Sequence, residues 1–157
     1  MQVREFYQPD KPTLLMSLHP EMAARIGRQE KVLEFRRRFY REPFQAYVCV
    51  TGTNGGVGLF LDIDQPLSAD VATLIQRGVA EQGDDPASLR AYFGAATQGM
   101  LLPIKTAVIL ERAPRDDLRA AFPRFVTPRA YQFLDKPDKQ PLLQYLLTLE
   151  VQKSWTR

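Results

Sequence analysis

The chain has little of what disulfide, zinc or membrane-spanning proteins need. Its 157 residues include one cysteine, Cys49, and one histidine, His19. A single cysteine excludes an internal disulfide and is typical of a reducing compartment. A structural zinc site takes four cysteine or histidine ligands, so this composition excludes one. We therefore expect a cytoplasmic protein without a metal and without a cofactor.

Long apolar runs and internal repeats are also missing. No apolar stretch approaches the roughly 20 residues that a membrane-spanning helix requires. The segment 1–10 is polar and lacks the apolar core of a signal peptide. The chain length suits one domain with its own core. We predict an N-terminal leader over 1–13, packed loosely, and a single domain over 14–157 that includes a C-terminal helix and has no membrane partner.

The positive charge of the chain is modest but clustered. Twenty-one lysines and arginines against 18 acidic residues give a formal net charge of +3. Arg36, Arg37, Arg38 and Arg41 lie close together. Arginine binds phosphate through two parallel hydrogen bonds and stacks on bases, so the cluster indicates an anionic partner such as nucleic acid. The other interpretation is a charged sheet edge that discourages strand pairing.

The apolar pattern predicts short strands with helices between them. The predicted strands cover 14–18, 32–39, 47–51, 57–64, 100–112 and 130–134. One predicted helix begins at Pro20, a second is capped by Ser68, a third runs from Asp85 to Gly94, and two more cover 116–122 and, at the end of the chain, 142–151. An Asn54–Gly55 type I′ turn is expected to join strands 47–51 and 57–64, and Pro103 indicates an edge or a bulge in strand 100–112. Gly58 suggests a bulge or a close approach of another group. Strands cluster without regular βαβ alternation, so an α+β fold with a small mixed barrel or curled sheet fits best.

Lys31, Glu34 and Arg36 form a K-x-x-E-x-R spacing at the start of the second predicted strand. Strand alternation places Glu34, Arg36 and Arg38 on one face, and Lys31 joins them if the preceding connection bends inward. In a cleft, the two cations would hold a phosphate or a carbonyl oxygen, and the carboxylate would accept hydrogen bonds from a base edge. The alternative is an ion pair on a solvated strand surface.

The first third of the chain carries a family resemblance. The segments S-L-H-P-E-x-A-x-x-I and E-K-V-L-E-F-R-R-R resemble the ASCH domain, a PUA-like group. That family opens with a strand ending in S-I-K-P, a helix, and G-x-K-x-x-E-x-R on the next strand. A glycine near Gly58 and a proline-containing segment before an aromatic, here 127–131, are similar too. The resemblance covers roughly 14–147 and implies a small PUA-like mixed β-barrel with flanking helices.

The resemblance also implies a function and a set of residues. It implies that RNA or a nucleotide is recognised in a cleft lined by the Lys-x-x-Glu-x-Arg strand, with neighbouring arginines on phosphates. Lys31, Glu34 and Arg36 match the family's motif positions, and Ser17 matches the serine of its first strand. The ligand-binding residues expected on this basis are Ser17, Lys31, Glu34, Arg36, Arg38, Thr51 and Tyr131.

Two departures and two alternatives accompany the resemblance. Gln29 stands where the motif usually has glycine. Some family members are single-strand ribonucleases, and others are amidohydrolases that deacetylate N4-acetylcytidine. The amidohydrolases have a threonine nucleophile at the Glu34 position, which counts against that activity. In a hydrolase, Lys31 would stabilise an oxyanion or phosphate and Glu34 would be the general base. The remaining alternative is a domain for a protein partner, its cleft closed by a Lys31–Glu34 pair.

Overall fold

The computed structural model describes all 157 residues, with eight strands and five α-helices. The strands are β1 Thr13–Leu18, β2 Leu33–Arg36, β3 Phe44–Val50, β4 Gly56–Ile63, β5 Leu67–Asp70, β6 Gln98–Pro114, β7 Tyr131–Phe133 and β8 Val151–Thr156. The helices are α1 Pro20–Gly27, α2 Val71–Gln82, α3 Pro86–Phe93, α4 Arg115–Ala121 and α5 Gln140–Leu146, and short 3₁₀ turns cover Val3–Glu5 and Pro137–Lys139. None of these helices combines the length and the apolar character that crossing a membrane would take.

The eight strands form one mixed sheet that curls into a half-barrel. Its order is β2-β6-β4-β3-β1-β7, and β5 and β8 both pair with β6. β1 and β3 are parallel, while every other pairing is antiparallel. The five helices flank this sheet. The α+β prediction of a small PUA-like mixed barrel with flanking helices is therefore confirmed.

The 17-residue strand β6 is the centre of the sheet. Its first half pairs with β2 and β5 on its two sides, and its second half pairs with β4 and β8. Pro103 lies opposite Leu33 where these two sets of partners meet. The register shifts two residues further on, where Asp62 and Ile63 of β4 pair with Thr106 and Ile104, so the extra residue is Lys105. The bulge predicted at Pro103 therefore lies at Lys105 instead, and the stretch is not a sheet edge, because strands flank it on both sides.

Three apolar clusters hold the fold together, and the third one orients β2. Alternate residues of β3 point into the two larger clusters, so these clusters lie on opposite faces of the sheet. The third cluster packs Leu33 and Phe35 of β2 against α2 and Phe93 of α3. Because the apolar residues of β2 face these helices, the alternation of the strand turns Glu34 and Arg36 the other way.

The end of the chain differs from its prediction. The expected helix over 142–151 ends at Leu146, and Val151–Thr156 forms the edge strand β8 against β6. Only Val151 and Trp155 of β8 are half-buried, which leaves too few apolar positions for a visible strand pattern. The indole Nε1 of Trp155 donates to the carbonyl of Ile26 at 2.7 Å. β8 therefore connects the sheet to the end of α1.

Two predicted local features are also corrected. Ser68 lies in β5, and the α2 cap position is Asp70, because β6 provides a pairing partner for 67–70. The β3–β4 connection has positive φ at Gly52 and Asn54 but not at Gly55, so it is not a type I′ turn. The bulge expected at Gly58 is confirmed by the register shift between its neighbours in β4.

The first 13 residues pack closely, which corrects the expectation of a loose leader. Val3 is fully buried in one of the large clusters. The side chain of Gln45 in β3 donates to the Gln8 carbonyl at 2.7 Å, and Lys11 pairs with Asp62 of β4. The division into a leader and a domain stays a prediction. No group of three histidine, cysteine, aspartate or glutamate side chains is arranged to hold a metal ion.

Candidate functional site

A tight turn after α1 brings Lys31 to the same side of the chain as Glu34. Gln29 has a φ of 59°, in the left-handed region that glycine favours. The next two backbone N–H groups, of Glu30 and Lys31, both donate to the Arg25 carbonyl, at 2.9 and 3.2 Å. Glutamine thus adopts a left-handed conformation in this turn, at a conformational cost of about 1 kcal/mol.

Gln82, at the end of α2, holds the chain just after this turn. Its side-chain oxygen accepts from the backbone N–H groups of Val32 and Leu33, at 2.8 and 2.9 Å. Its amide nitrogen donates to Asp84 Oδ2 at 2.7 Å. One side chain therefore satisfies the backbone at the start of β2 and links it to the α2–α3 connection.

Lys31, Glu34 and Arg36 form a buried ion triad. Lys31 Nζ lies 3.2 Å from Glu34 Oε1, and Arg36 Nη2 lies 3.0 Å from Glu34 Oε2. Lys31 and Glu34 are only 4% and 7% exposed. Burial works to raise the pKa of Glu34, but the charges of Lys31 and Arg36 outweigh it, and the pKa is lowered. Glu34 is therefore ionised at neutral pH, and the triad is not a solvated surface pair.

Arg36 also connects β2 to the first strand. Its Nη2 donates to the Ser17 carbonyl at 2.8 Å, and the Ser17 hydroxyl donates to the Pro128 carbonyl at 2.9 Å. These bonds cross between three separate segments of the chain. They fix the triad relative to β1 and to the 127–129 segment.

The triad lies in the wall of an open cavity of about 710 Å³. Predicted residues that line this cavity are Ser17, Lys31, Glu34, Arg36 and Thr51. Much of the remaining lining comes from the α2–α3 connection and α3 and from the 127–129 segment, with Asp84, Asp85, Ser88, Leu89, Tyr92, Thr127, Pro128 and Arg129. A closed cleft would combine a Lys31–Glu34 pair with no open space; here the pair is present and the cavity is open.

The chain is similar to proteins of known structure. No protein-family profile and no curated protein matches the chain. The crystal structure of a serine-to-alanine variant of an ASCH protein from Zymomonas mobilis is 25% identical, with a TM-score of 0.75, over 88% of this chain and 99% of that one. The crystal structure of ASCH from Zymomonas mobilis is 24% identical, with a TM-score of 0.75, over 86% and 96%. The chain has the ASCH-domain fold.

Two predicted residues of this ASCH-fold protein lie outside the cavity. Strand β2 ends at Arg36, so its alternation does not extend to Arg38, which is exposed in a neighbouring groove. Tyr131 is in β7, opposite Met16 of β1, and its ring centroid lies 4.7 Å from that of Phe39. Tyr131 is thus part of an aromatic cluster beside the barrel.

Other residues of the ASCH-fold cavity were missed by the sequence analysis. Tyr92 is 41% exposed, although its neighbour Phe93 is buried. The Arg37 guanidinium lies 5.6 Å from the Tyr92 ring centroid and donates from Nε to the Tyr92 carbonyl at 3.0 Å. Arg25 of α1 approaches Asp84 at 3.4 Å along the cavity wall. The only signal in the sequence was a tyrosine beside a core phenylalanine on a short helix.

Proposed function

We propose that this ASCH-fold protein binds RNA or a nucleotide, with the base of one nucleotide inside the cavity. The observation that carries the proposal is the convergence of Lys31, Glu34 and Arg36 in the wall of one open cavity. Their charged groups are held in place by further hydrogen bonds, which Lys31 donates to the Leu33 carbonyl and Arg36 donates to the Ser17 carbonyl. Such a fixed polar array suits recognition of a ligand with donors and acceptors at defined positions.

The lining of the cavity supports a base as the bound group. Met22 and Leu89 offer apolar contact, and Tyr92 offers an exposed aromatic ring. Asp85 and Thr127 add a carboxylate and a hydroxyl for hydrogen bonds. Single-stranded RNA is commonly recognised by stacking a splayed base and hydrogen-bonding its edges, which needs both kinds of contact.

We rank binding ahead of catalysis because of the lowered pKa and the ion-pair partners of Glu34. A general base works best with a pKa near the working pH, whereas the pKa of Glu34 is lowered. Lys31 and Arg36 already occupy its two oxygens. Glu34 is therefore poorly suited to be the general base that the ribonuclease and amidohydrolase alternatives require. The open cavity likewise counts against a degenerate cleft that serves only a protein partner.

Blocking the cavity tests the proposal without disturbing the triad. Thr127 lines the cavity and is half-buried, and its side chain makes no hydrogen bond in the structure. Thr127→Trp should fill the entrance and weaken binding of a fluorescein-labelled ten-nucleotide RNA of mixed sequence by about tenfold or more, the loss expected when one stacked base is excluded. Fluorescence anisotropy gives the affinity, and urea unfolding checks that the variant is folded.

The neighbouring residue provides the matched control. Val126 is 57% exposed and does not line the cavity, so Val126→Trp adds the same ring outside it and should bind as the wild type does. Equal affinity of both variants would contradict a cavity site, and a wild type that binds no RNA or nucleotide would overturn the function. Release of shorter RNA by the wild type would favour the hydrolase. The cytoplasmic location stays a prediction.

A further inference from the structure

A second concave surface of about 810 Å³ adjoins the cavity. We call it the arginine groove, and its defining residues are Arg36, Arg37, Arg38, Arg41, Arg129 and Tyr92. No acidic side chain lines it. Five guanidinium groups around one concave surface repel one another, and the repulsion is relieved when an anion lies between them.

The arginines of the groove differ in whether they already have partners. Arg36 is paired with Glu34, and Arg37 donates to the Tyr92 carbonyl. Arg38, Arg41 and Arg129 are exposed, and their side chains make no ion pair or hydrogen bond. Three guanidinium groups are thus free to bind an anion, and their planar forks suit phosphate oxygens.

The charge pattern of the cavity differs from that of the arginine groove, so the two surfaces suit different parts of a nucleotide. Its cations lie among the carboxylates of Glu34, Asp84 and Asp85. Lys31 is committed to Glu34 and to the Leu33 carbonyl. A phosphate in the cavity would meet these carboxylates, whereas a phosphate in the arginine groove would meet only cations. The uncharged part of a nucleotide therefore suits the cavity, and its phosphates suit the groove.

The two surfaces are continuous. Arg36, Tyr92 and Arg129 line both of them. We propose, building on the proposed function, that the arginine groove is a phosphate-binding subsite that holds the backbone of a single-stranded nucleic acid beside the nucleotide whose base enters the cavity. Tyr92, at the junction, provides an aromatic face on which the adjacent base stacks. The ligand is accordingly an oligonucleotide, and a free nucleoside binds more weakly.

Removing two of the free arginines tests the subsite. Arg38→Ala/Arg41→Ala should weaken binding of the labelled ten-nucleotide RNA by about tenfold at moderate salt. The slope of log affinity against log salt should become shallower by about 1.4, because each phosphate contact on a single strand contributes about 0.7. A peptide nucleic acid of the same sequence has no phosphates, so its affinity should be the same for the variant and the wild type.

Arg119→Ala/Arg124→Ala is the matched control. Both arginines are exposed, neither lines the groove or the cavity, and the variant loses the same formal charge. It should retain the wild-type affinity within about twofold and the wild-type salt slope, since distant surface charges are screened within about 10 Å. Equal losses in the two double variants would overturn the subsite and leave only a general effect of net charge.

The outcomes separate the subsite from the proposed function. If Thr127→Trp weakens RNA binding but Arg38→Ala/Arg41→Ala does not, the function stands and the subsite is overturned. If the wild type binds no RNA but binds inorganic tripolyphosphate, and the groove variant loses that binding, the phosphate site stands without the function. If neither RNA nor tripolyphosphate binds, both proposals are overturned.

Discussion

Replacing Glu34 with glutamine would leave two cations in the cavity wall without their counter-charge. Lys31 is 4% exposed, so water compensates little for the lost carboxylate. Removing one partner of a buried ion pair typically costs about 3–5 kcal/mol of unfolding free energy. We expect about 3 kcal/mol for Glu34→Gln, because Lys31 keeps the Leu33 carbonyl and Arg36 keeps the Ser17 carbonyl. Urea unfolding at pH 7 measures this loss.

The pH dependence of the free energy of unfolding provides a second, independent test of this prediction. The pKa of Glu34 is lowered in the folded protein, so its contribution is complete above the unfolded value of 4.5 and is lost as the pH falls through the folded value. The stability difference between the wild type and Glu34→Gln should therefore narrow as the pH is lowered below about 4.5. A difference that stays constant down to acid pH would show that the charge of Glu34 is not what stabilises the site.

Glu81→Gln is the matched control for the same substitution on the surface. Glu81 pairs with Arg77 at 2.6 Å and Arg157 at 3.7 Å, and it is exposed. Exposed ion pairs contribute about 0–1 kcal/mol, so this variant should lose less than about 1 kcal/mol at pH 7. A loss from Glu34→Gln as small as that of Glu81→Gln would refute the buried triad as the element that fixes the cavity wall.

Two further predictions concern residues beside and beneath the site. Gln29→Gly should raise the free energy of unfolding, measured in urea, by about 0.5–1 kcal/mol, because glycine adopts the φ of 59° without steric cost. Gln29→Ala is the control and should give no gain in stability. Destabilisation by Gln29→Gly would contradict the backbone strain inferred at Gln29. Burial raises the pKa of the Cys49 thiol to about 12. A thiol reagent at pH 8 should therefore modify Cys49 only as the protein unfolds. Rapid labelling of Cys49 in the native protein would contradict its burial.

Local patterns in the sequence were sufficient for the alternation at the start of β2 but not for its end, which was predicted at residue 39 and lies at Arg36. A period of two, with Leu33 and Phe35 apolar and Glu34 and Arg36 charged, decides which side chains face the helices. Edge strand β8 escaped prediction because its partner β6 is distant in sequence and only two of its residues are half-buried. Pairing that depends on a remote strand leaves little trace in the local pattern.

The second wall of the cavity could not be predicted in the same way. Asp84 and Tyr92 belong to the α2–α3 region. Two contacts bring this region to β2: the apolar packing of α2 and α3 on the strand, and the hydrogen bonds of the Gln82 side chain with the backbone of Val32 and Leu33. A glutamine before a helix-ending glycine has no distinctive spacing. The residues of the motif were therefore visible in the sequence, while the space they face depends on long-range packing.

Cross-linking to RNA that contains 4-thiouridine, with the modified peptides identified by mass spectrometry, tests the account most directly. Tyr92 and Tyr145 are 41% and 40% exposed, so random encounters would modify both alike. Only Tyr92 lines the cavity and the arginine groove. The account predicts cross-links in the peptide that contains Tyr92 and none above background in the peptide that contains Tyr145. Equal modification of the two, or modification of Tyr145 alone, would contradict a nucleotide site in this cavity.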